Sequence, residues 1–348
     1  MAAFARVAEL ITRAIEQRVT PAAVVEAGTA SAVRWRAAFG TLTYAADAPP
    51  CSEQTVFDLA SLTKVIATAS IAMRLVERGV IRLETPIRAI EPRWHGAGRD
   101  AITLQQLMEH ASGLPAHVPL YQVANDRESL LDRILTTPLD RSPGSAAVYS
   151  DLGFILLGFL LERAAAADLR TQFAPLAAAL GTIGFTPPAS WIPTIAPTEV
   201  DPWRGRLIQG SVHDENAFVL GGVAGHAGLF GTAGAVGQFA RLVLQTFRAD
   251  SALAQRDTMR RFAMRSSVPH SSRALGWDTM LPTSSCGSRM SEQAIGHTGF
   301  TGTSLWIDPE QDLYVVLLTN RVHPSRTGEG IQPLRRAVAD AVVESLTR

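Results

Sequence analysis

The chain has 348 residues, of which 47% are hydrophobic and 18% charged, and its formal net charge at pH 7 is zero. This composition excludes intrinsic disorder and predicts a globular protein with one large or two interlocked domains. Basic residues are scattered along the chain, so we expect no nucleic-acid partner. The longest apolar run, Leu152 to Leu161, is too short to span a bilayer, so we expect no membrane span.

The N-terminal stretch MAAFARVAELITRAIEQRV predicts an amphipathic helix. It lacks the long apolar core and the small-residue cleavage site of a signal peptide. We therefore expect a cytoplasmic protein, or a periplasmic or secreted one if a leader was removed. The sequence leaves the oligomeric state open.

The next segments alternate between strand and helix patterns. Residues 21–44 are β-branched and broken by glycines, which predicts two or three antiparallel strands. From Ser61 to about Arg78, apolar residues recur at helical spacing, and Gly79 follows as a stop signal. Residues 80–205 are mostly helical segments separated by proline-rich turns.

The last third of the chain returns to strands. Glycines recur from Gly221 to Gly234 at a spacing that fits neither a phosphate loop nor a dinucleotide fingerprint. We expect a rigid loop that lines an active-site mouth, and no cofactor. A helix pattern follows, then three strand candidates and a closing helix, at residues 236–247, 295–300, 302–309, 313–320 and 334–347.

Strands at both ends with helices between them predict an α/β fold of the α+β type, with a central antiparallel sheet flanked by helices. Residues 1–78 and 206–348 would form one α/β sandwich domain built from both termini. Residues 79–205 would form an inserted all-helical domain, and the active site would lie at the interface of the two domains.

Ser61 and Lys64 form the first candidate site. Lys64 is the only lysine among 32 lysine and arginine residues. Serine and lysine three residues apart share a helix face, and a desolvated lysine can exchange the proton that activates a serine, whereas arginine cannot. If Ser61 opens the helix, its unpaired N–H can stabilise a developing negative charge. The alternative is that Lys64 is only a solvated helix residue.

Two later stretches, VYSDLGFILLG and IGHTGFTGTSLWID, contain Tyr149 and the triplet His297-Thr298-Gly299. Taken singly, Tyr149 also fits a core tyrosine and His297 an ordinary strand histidine. Gly299 lies on a predicted edge strand, where it would leave room for a substrate backbone.

Together the three motifs resemble the class C β-lactamase and penicillin-binding-protein superfamily of serine hydrolases, which includes family VIII esterases and D-alanyl carboxypeptidases. The likeness lies in Ser-x-x-Lys, a later Tyr-Ser-x and a C-terminal (Lys/His)-Thr-Gly, and it covers nearly the whole chain. LMEHASGLP and AGLFGTAGAVGQFARLVL are similar to further stretches of this group. The resemblance implies a β-lactamase/transpeptidase-like fold.

The resemblance also implies catalytic roles. Ser61 would be the acylated nucleophile, Lys64 its proton partner and Tyr149 the second acid/base group. The backbone N–H groups of Ser61 and Phe300 would form the oxyanion hole. Four residues would contact the substrate: Asp151, His297, Thr298 and Gly299.

Two of these residues depart from the usual pattern of the family. Asp151 stands where asparagine is common, and an ionised aspartate can only accept hydrogen bonds. Its charge also favours a protonated Lys64, which moves the role of base toward Tyr149. His297 stands where a lysine usually captures a substrate carboxylate. Both departures favour neutral esters.

The sequence therefore predicts a serine hydrolase that cleaves a small-molecule ester, lactam or peptide through an acyl-Ser61 intermediate. Of these substrates, an ester is favoured. The alternatives are a D-alanyl-D-alanine carboxypeptidase or weak β-lactamase, an acyltransferase, and a non-catalytic peptidoglycan-ligand sensor.

Other polar residues fit structural roles. His213, Asp214, Glu215 and His226 match no zinc or iron pattern, so we expect no metal; a polar cluster that orders a loop is favoured, and their exact role stays open. His110 and Ser112 are expected to hold a turn beside the catalytic helix.

Overall fold

The protein mixes helices with short and long strands, and the computed structural model describes residues 2–96 and 98–347. The α-helices are α1 (Ala5–Glu16), α2 (Ser70–Glu77), α3 (Leu104–Met108), α4 (Arg127–Thr136), α5 (Asp151–Ala165), α6 (Leu169–Leu180), α7 (Glu215–Val219), α8 (Ala233–Thr246), α9 (Arg256–Ala263) and α10 (Ile331–Thr347). The strands are β1 (Ala22–Gly28), β2 (Val33–Gly40), β3 (Phe57–Asp58), β4 (Ile183–Phe185), β5 (Val200–Asp201), β6 (Arg206–Leu207), β7 (Leu229–Gly231), β8 (Asp278–Thr279), β9 (Ile295–Thr298), β10 (Ser304–Asp308) and β11 (Leu313–Thr319). Other helical turns occur at Ala2–Phe4, Ala60–Leu62, Lys64–Ala69, Ile87–Ala89, Leu120–Gln122 and Ala189–Thr194.

The main sheet joins the two ends of the chain. Its strand order is β2-β1-β11-β10-β9-β8, and neighbouring strands are antiparallel. The N-terminal β1 pairs with the C-terminal β11, with Val25 opposite Leu317. A smaller sheet has the order β3-β7-β4, and β5 pairs with β6. The antiparallel sheet predicted from both ends of the chain is confirmed.

Both faces of the main sheet are buried because side chains alternate along its central strands. In β1, Val24 belongs to a core shared with Phe239 of α8, whereas Val25 belongs to a second core. The second core contains Ile11 of α1 and Val338 of α10. The helices of the two termini thus cover one face, and α8 with the helical part of the chain covers the other.

The segment from Ser61 to Arg78 differs from the single helix that was predicted. Ala60–Leu62 form a 3-10 turn, Lys64–Ala69 a π-helical stretch, and only Ser70–Glu77 an α-helix. Apolar spacing does not distinguish these helical types. The π-helical stretch has a wider turn than an α-helix. Within it, Thr68 Oγ1 donates a hydrogen bond to the carbonyl of Gly225, in a distant loop, at 2.6 Å.

The region predicted as all-helical also contains two strands, β4 and β5. Ile183–Phe185 form β4, which pairs with β7, so this part of the chain reaches the smaller sheet. The division at residues 79–205 stays a prediction.

Within the described ranges, no helix is both long and apolar enough to cross a membrane. The cytoplasmic location is likewise still a prediction.

A buried carboxylate ties α8 to the sheet. Glu26 of β1 is fully buried and accepts hydrogen bonds from Arg36 at 2.5 Å, Arg241 at 2.9 Å and the Tyr314 hydroxyl at 2.7 Å. Gly237 of α8 leaves the space for this carboxylate, because a Cβ there would lie 1.8 Å from Glu26 Oε1. The glycine is therefore a packing requirement.

We expect Gly237→Ala to lower the free energy of unfolding by about 1–3 kcal/mol, the usual cost of overpacking, although alanine is the better helix former. The Glu26 carboxylate cannot move aside without losing its three partners. Urea denaturation measures the effect, with Gly184→Ala as the control, because a Cβ at that position meets nothing within 4 Å. Equal stability of the two variants would contradict this account of the packing.

Candidate active site

Ser61 lies in a tight turn directly after β3. The buried carboxylate of Asp58 accepts the backbone N–H of Ala60 at 2.8 Å and that of His213 at 2.7 Å. Ala60 has φ +45°, a left-handed conformation that is uncommon for a residue with a side chain. The turn is thus held from two sides, and Ser61 is fixed next to the segment that carries Lys64.

Lys64 is fully buried, and its ammonium group meets the other candidate residues. Nζ lies 3.0 Å from Ser61 Oγ, 2.7 Å from the Tyr149 hydroxyl and 2.7 Å from Asp151 Oδ1. A fourth oxygen, the carbonyl of His226, lies at 3.3 Å. The alternative of a solvated helix residue is therefore wrong.

Tyr149 reaches the nucleophile from the loop that precedes α5. Its hydroxyl donates to Ser61 Oγ at 2.8 Å. The His110 ring packs on the tyrosine with centroids 4.7 Å apart, and His110 Nδ1 accepts the N–H of Ser150 at 3.0 Å. Ser150 in turn caps α5 by accepting the N–H of Gly153. His110 is thus a structural support of the tyrosine, as expected for a residue that holds a turn.

Charges inside the site favour a protonated lysine and a protonated tyrosine. Burial disfavours the ammonium group, but Asp151 and Tyr149 outweigh this effect and raise the pKa of Lys64. Burial also raises the pKa of Tyr149, and it exceeds the opposing effect of the Lys64 charge. The resting site therefore holds an ammonium, a carboxylate and a neutral phenol around one serine hydroxyl.

His297 is buried near Tyr149, with ring centroids 5.8 Å apart. Its Nδ1 lies 2.8 Å from the carbonyl of Thr298, so Nδ1 carries the proton and Nε2 is left as an acceptor. Burial, aided by the charges of Lys64 and Arg273, holds the pKa of His297 well below its ordinary value of 6.5. The side chain is neutral and cannot replace a lysine as a cation.

Gly299 brings the turn after β9 against the serine turn. A Cβ at this position would lie 2.8 Å from the carbonyl oxygen of Leu59. Two residues later, Thr301 Oγ1 donates to the carbonyl of Asp58 at 2.7 Å. The glycine is therefore required by the approach of two segments of the chain itself, a reason that differs from the one predicted. Phe300, which is 50% exposed, follows beside this contact.

Arg273 was not among the residues predicted from the sequence. Its guanidinium carbon lies 5.1 Å from the centre of the Tyr149 ring, and the side chain is 21% exposed. It faces the carboxylate of Asp278 at 3.9 Å, beyond hydrogen-bond distance. No motif surrounds this arginine, so nothing distinguished it from the other arginines of the chain.

The polar residues around the glycine-rich loop pair by hydrogen bonds between histidines and carboxylates. His226 Nε2 lies 2.8 Å from Asp214 Oδ1, and His213 Nε2 lies 2.9 Å from Glu199. In the described part of the chain, no group of three or more His, Cys, Asp and Glu side chains is arranged to hold a metal. Residues 223–230 are buried, so this loop lies beneath Lys64 rather than lining a mouth.

Comparison with known proteins identifies the family. The model of the family described as "Beta-lactamase" matches residues 7–340. A protein of Escherichia coli (strain K12) named "Putative D-alanyl-D-alanine carboxypeptidase" is 32% identical over 315 residues, which cover 77% of this chain and 70% of that protein. The chain therefore belongs to the Beta-lactamase family of serine hydrolases, and the resemblance inferred from the three motifs is confirmed.

Solved structures confirm the fold. A penicillin-binding protein homologue from Caulobacter crescentus matches with a TM-score of 0.79 at 17% identity, covering 99% of this chain and 98% of that chain. A class C β-lactamase from Rhodobacter sphaeroides matches with a TM-score of 0.77 at 18% identity, covering 99% of both chains. The fold is thus β-lactamase/transpeptidase-like, as the sequence implied.

The neutral state of His297 predicts how stability depends on pH. Its pKa is lower in the folded than in the unfolded protein, so the stability that it contributes is present above about pH 6.5 and is lost as the pH falls. We expect the free energy of unfolding to fall less between pH 7 and pH 5 in His297→Gln than in the wild type. The difference should be at most about 1.4 kcal/mol per pH unit. Urea denaturation at each pH measures it, and parallel curves for the two proteins would refute the neutral histidine.

Proposed function

We propose that this protein is a hydrolase of the Ser-x-x-Lys type, which cleaves an ester or amide acyl bond through a covalent acyl-Ser61 intermediate. One observation supports this most directly: Ser61 Oγ is within hydrogen-bond distance of both Lys64 Nζ and the Tyr149 hydroxyl. A serine needs such a contact to lose its proton during attack. The presence of all three groups in contact also argues against a non-catalytic sensor.

The roles follow from this contact. Ser61 Oγ attacks the carbonyl carbon, and Lys64 with Tyr149 takes part in moving its proton and later returns a proton to the leaving group. Backbone N–H groups of Ser61 and Phe300 would stabilise the oxyanion. The approach of Gly299 to Leu59 supports the placement of Phe300 beside the serine turn.

We also infer that the site lies between the two predicted domains. Ser61 and Lys64 come from residues 1–78 and His297 from residues 206–348, whereas Tyr149 comes from residues 79–205. The hydrogen bonds of Lys64 therefore join both parts. Thr298 and Gly299 of β9 and its turn would lie along the substrate.

For the substrate, we propose a peptide or lactam with a carboxylate near the scissile bond, as in D-alanyl-D-alanine peptides. Arg273 supports this, because its guanidinium lies against the Tyr149 ring with no carboxylate within hydrogen-bond distance in the described chain. The name of the Escherichia coli relative points to the same class. Arg273 would supply the charge that His297 lacks.

Neutral esters are the second candidate. His297 is neutral, and Asp151 can only accept hydrogen bonds, so neither residue would bind a carboxylate or donate to a substrate amide. An ester without a charge needs neither contact.

Transfer of the acyl group to an added alcohol or amine instead of water would distinguish an acyltransferase on the same site.

A fluorophosphonate probe should attach covalently to Ser61, because its Oγ is in hydrogen-bond contact with Lys64 and Tyr149, the groups proposed to move its proton. Intact mass and peptide mass spectra would locate the adduct, and Ser61→Ala should abolish it while Ser112→Ala should not. An adduct on Ser112 or Ser150 in the wild type, with Ser61 unmodified, would overturn the assignment of the nucleophile.

Arg273→Gln should raise KM for a D-alanyl-D-alanine peptide by about tenfold to a hundredfold, the loss expected for a charge-assisted hydrogen bond. Hydrolysis of p-nitrophenyl acetate, which has no carboxylate, serves as the control and should change by less than about twofold. Equal losses on both substrates would show that Arg273 acts through Tyr149. A wild type that cleaves the ester and not the peptide would favour the second candidate.

A further inference from the structure

Asp151 is in direct contact with the lysine of the site. It is the first residue of α5, and its Oδ1 lies 2.7 Å from Lys64 Nζ. The side chain is 20% exposed, whereas Lys64 is fully buried. Asparagine, common at this position in the resembled family, would satisfy the same hydrogen bond without a charge. The carboxylate therefore adds a negative charge that the hydrogen bond alone does not require.

The ion pair creates a difficulty for catalysis. A lysine ammonium has three N–H donors and no acceptor, so a charged Lys64 cannot take the proton of Ser61. Tyr149 is a phenol whose pKa is raised, so it carries its own proton as well. Among the described residues, the carboxylate in hydrogen-bond contact with Lys64 is that of Asp151.

We propose that Asp151 is the proton store of the reaction: it receives a proton through Lys64 and Tyr149 while Ser61 attacks, and it returns that proton to the leaving group. This role deepens the proposed acyl-Ser61 mechanism and depends on it. Asp151 would then act on the reaction through Lys64, rather than only as a substrate contact.

The protons balance in each step. Lys64 gives one proton to Asp151, takes the phenolic proton of Tyr149, and Tyr149 takes the proton of Ser61 as the bond from Oγ to the carbonyl carbon forms. Lys64 ends as an ammonium, Tyr149 as a phenol, Asp151 as a neutral carboxyl group, and the carbonyl oxygen as an oxyanion. When the leaving group departs, the oxyanion becomes a carbonyl again and Tyr149 gives its proton to the leaving group. Lys64 then reprotonates Tyr149, and Asp151 returns its proton to Lys64, which restores the carboxylate.

Other titratable groups around the tyrosine and lysine are less suited to this role. The groups that face them are His110, His297, Arg273 and the pair of His226 with Asp214. A proton on His110 or His297 would add a cation beside Lys64, and burial lowers the pKa of both histidines. Protonation of Asp151 instead removes a negative charge and adds no cation nearby, because Lys64 regains its proton from Tyr149.

The test is the pH dependence of Ser61 labelling by a fluorophosphonate probe in Asp151→Asn. Without the carboxylate, the acceptor must be Lys64 or Tyr149, whose ordinary pKa values near 10 lie far above the value of about 4 for a carboxyl group. Loss of Asp151 leaves burial to lower the pKa of Lys64, so the limb of the variant should lie between these two values. We expect the acidic limb of the labelling rate to move up by about one pH unit or more. The rate at pH 6 should fall about tenfold or more and should recover by about pH 9.

Asp151→Glu is the matched variant, because it keeps the charge, and its limb should stay within about half a pH unit of the wild type. A uniform loss in Asp151→Asn at every pH, or a limb shift shared by Asp151→Glu, would show a role of shape and overturn the proposal. If the asparagine variant does not fold, labelling of the wild type in mixtures of H₂O and D₂O decides. A curved dependence on the deuterium fraction fits several moving protons, and a straight line contradicts the relay.

Failure of the underlying function gives a different result. A wild type that is not labelled on Ser61 at any pH would overturn the acyl-Ser61 mechanism and the role of Asp151 with it. A labelled wild type with an unshifted Asp151→Asn variant would overturn the role of Asp151 alone.

Discussion

The ammonium group of Lys64 has to be paired wherever it is buried, and the architecture around the site follows from this need. An unpaired buried charge is strongly unfavourable, and removing one partner of a buried ion pair typically costs about 3–5 kcal/mol. Lys64 finds its partners on separate segments: the turn of Ser61, the loop of Tyr149, the start of α5 and the carbonyl of His226. The same contacts that stabilise the charge therefore assemble the nucleophile with its proton-transfer groups.

The sheet supplies the rigid support for this assembly. Pairing of β1 with β11 and of β10 with β9 carries the C-terminal strands to the serine turn, where Thr301 bonds the carbonyl of Asp58. The buried Glu26 holds α8 against the opposite part of the same face. The turn is held by the buried side chains of Asp58 and Thr301, so the folded chain itself sets the position of Ser61.

The charges in the site depend on two residues that differ from the common pattern of the family, Asp151 and His297. Asp151 neutralises Lys64, and His297 is neutral where a second cation is common. A cation is nevertheless present, because Arg273 lies against the face of Tyr149 from another loop. A cation thus lies close to the tyrosine although His297 supplies none.

The sequence by itself determined the fold class, the family and the pair of Ser61 with Lys64, since these depend on local spacing and on the order of motifs. It also indicated that Asp151 would keep the lysine charged. The tertiary structure alone decided that Arg273 faces Tyr149, that Gly299 packs on Leu59, and that the glycine-rich loop lies beneath the lysine. These contacts join residues far apart in the chain, and no periodic pattern records such distances. The π-helical stretch Lys64–Ala69 could not be predicted either, because six residues are too few for apolar spacing to distinguish one helical type from another.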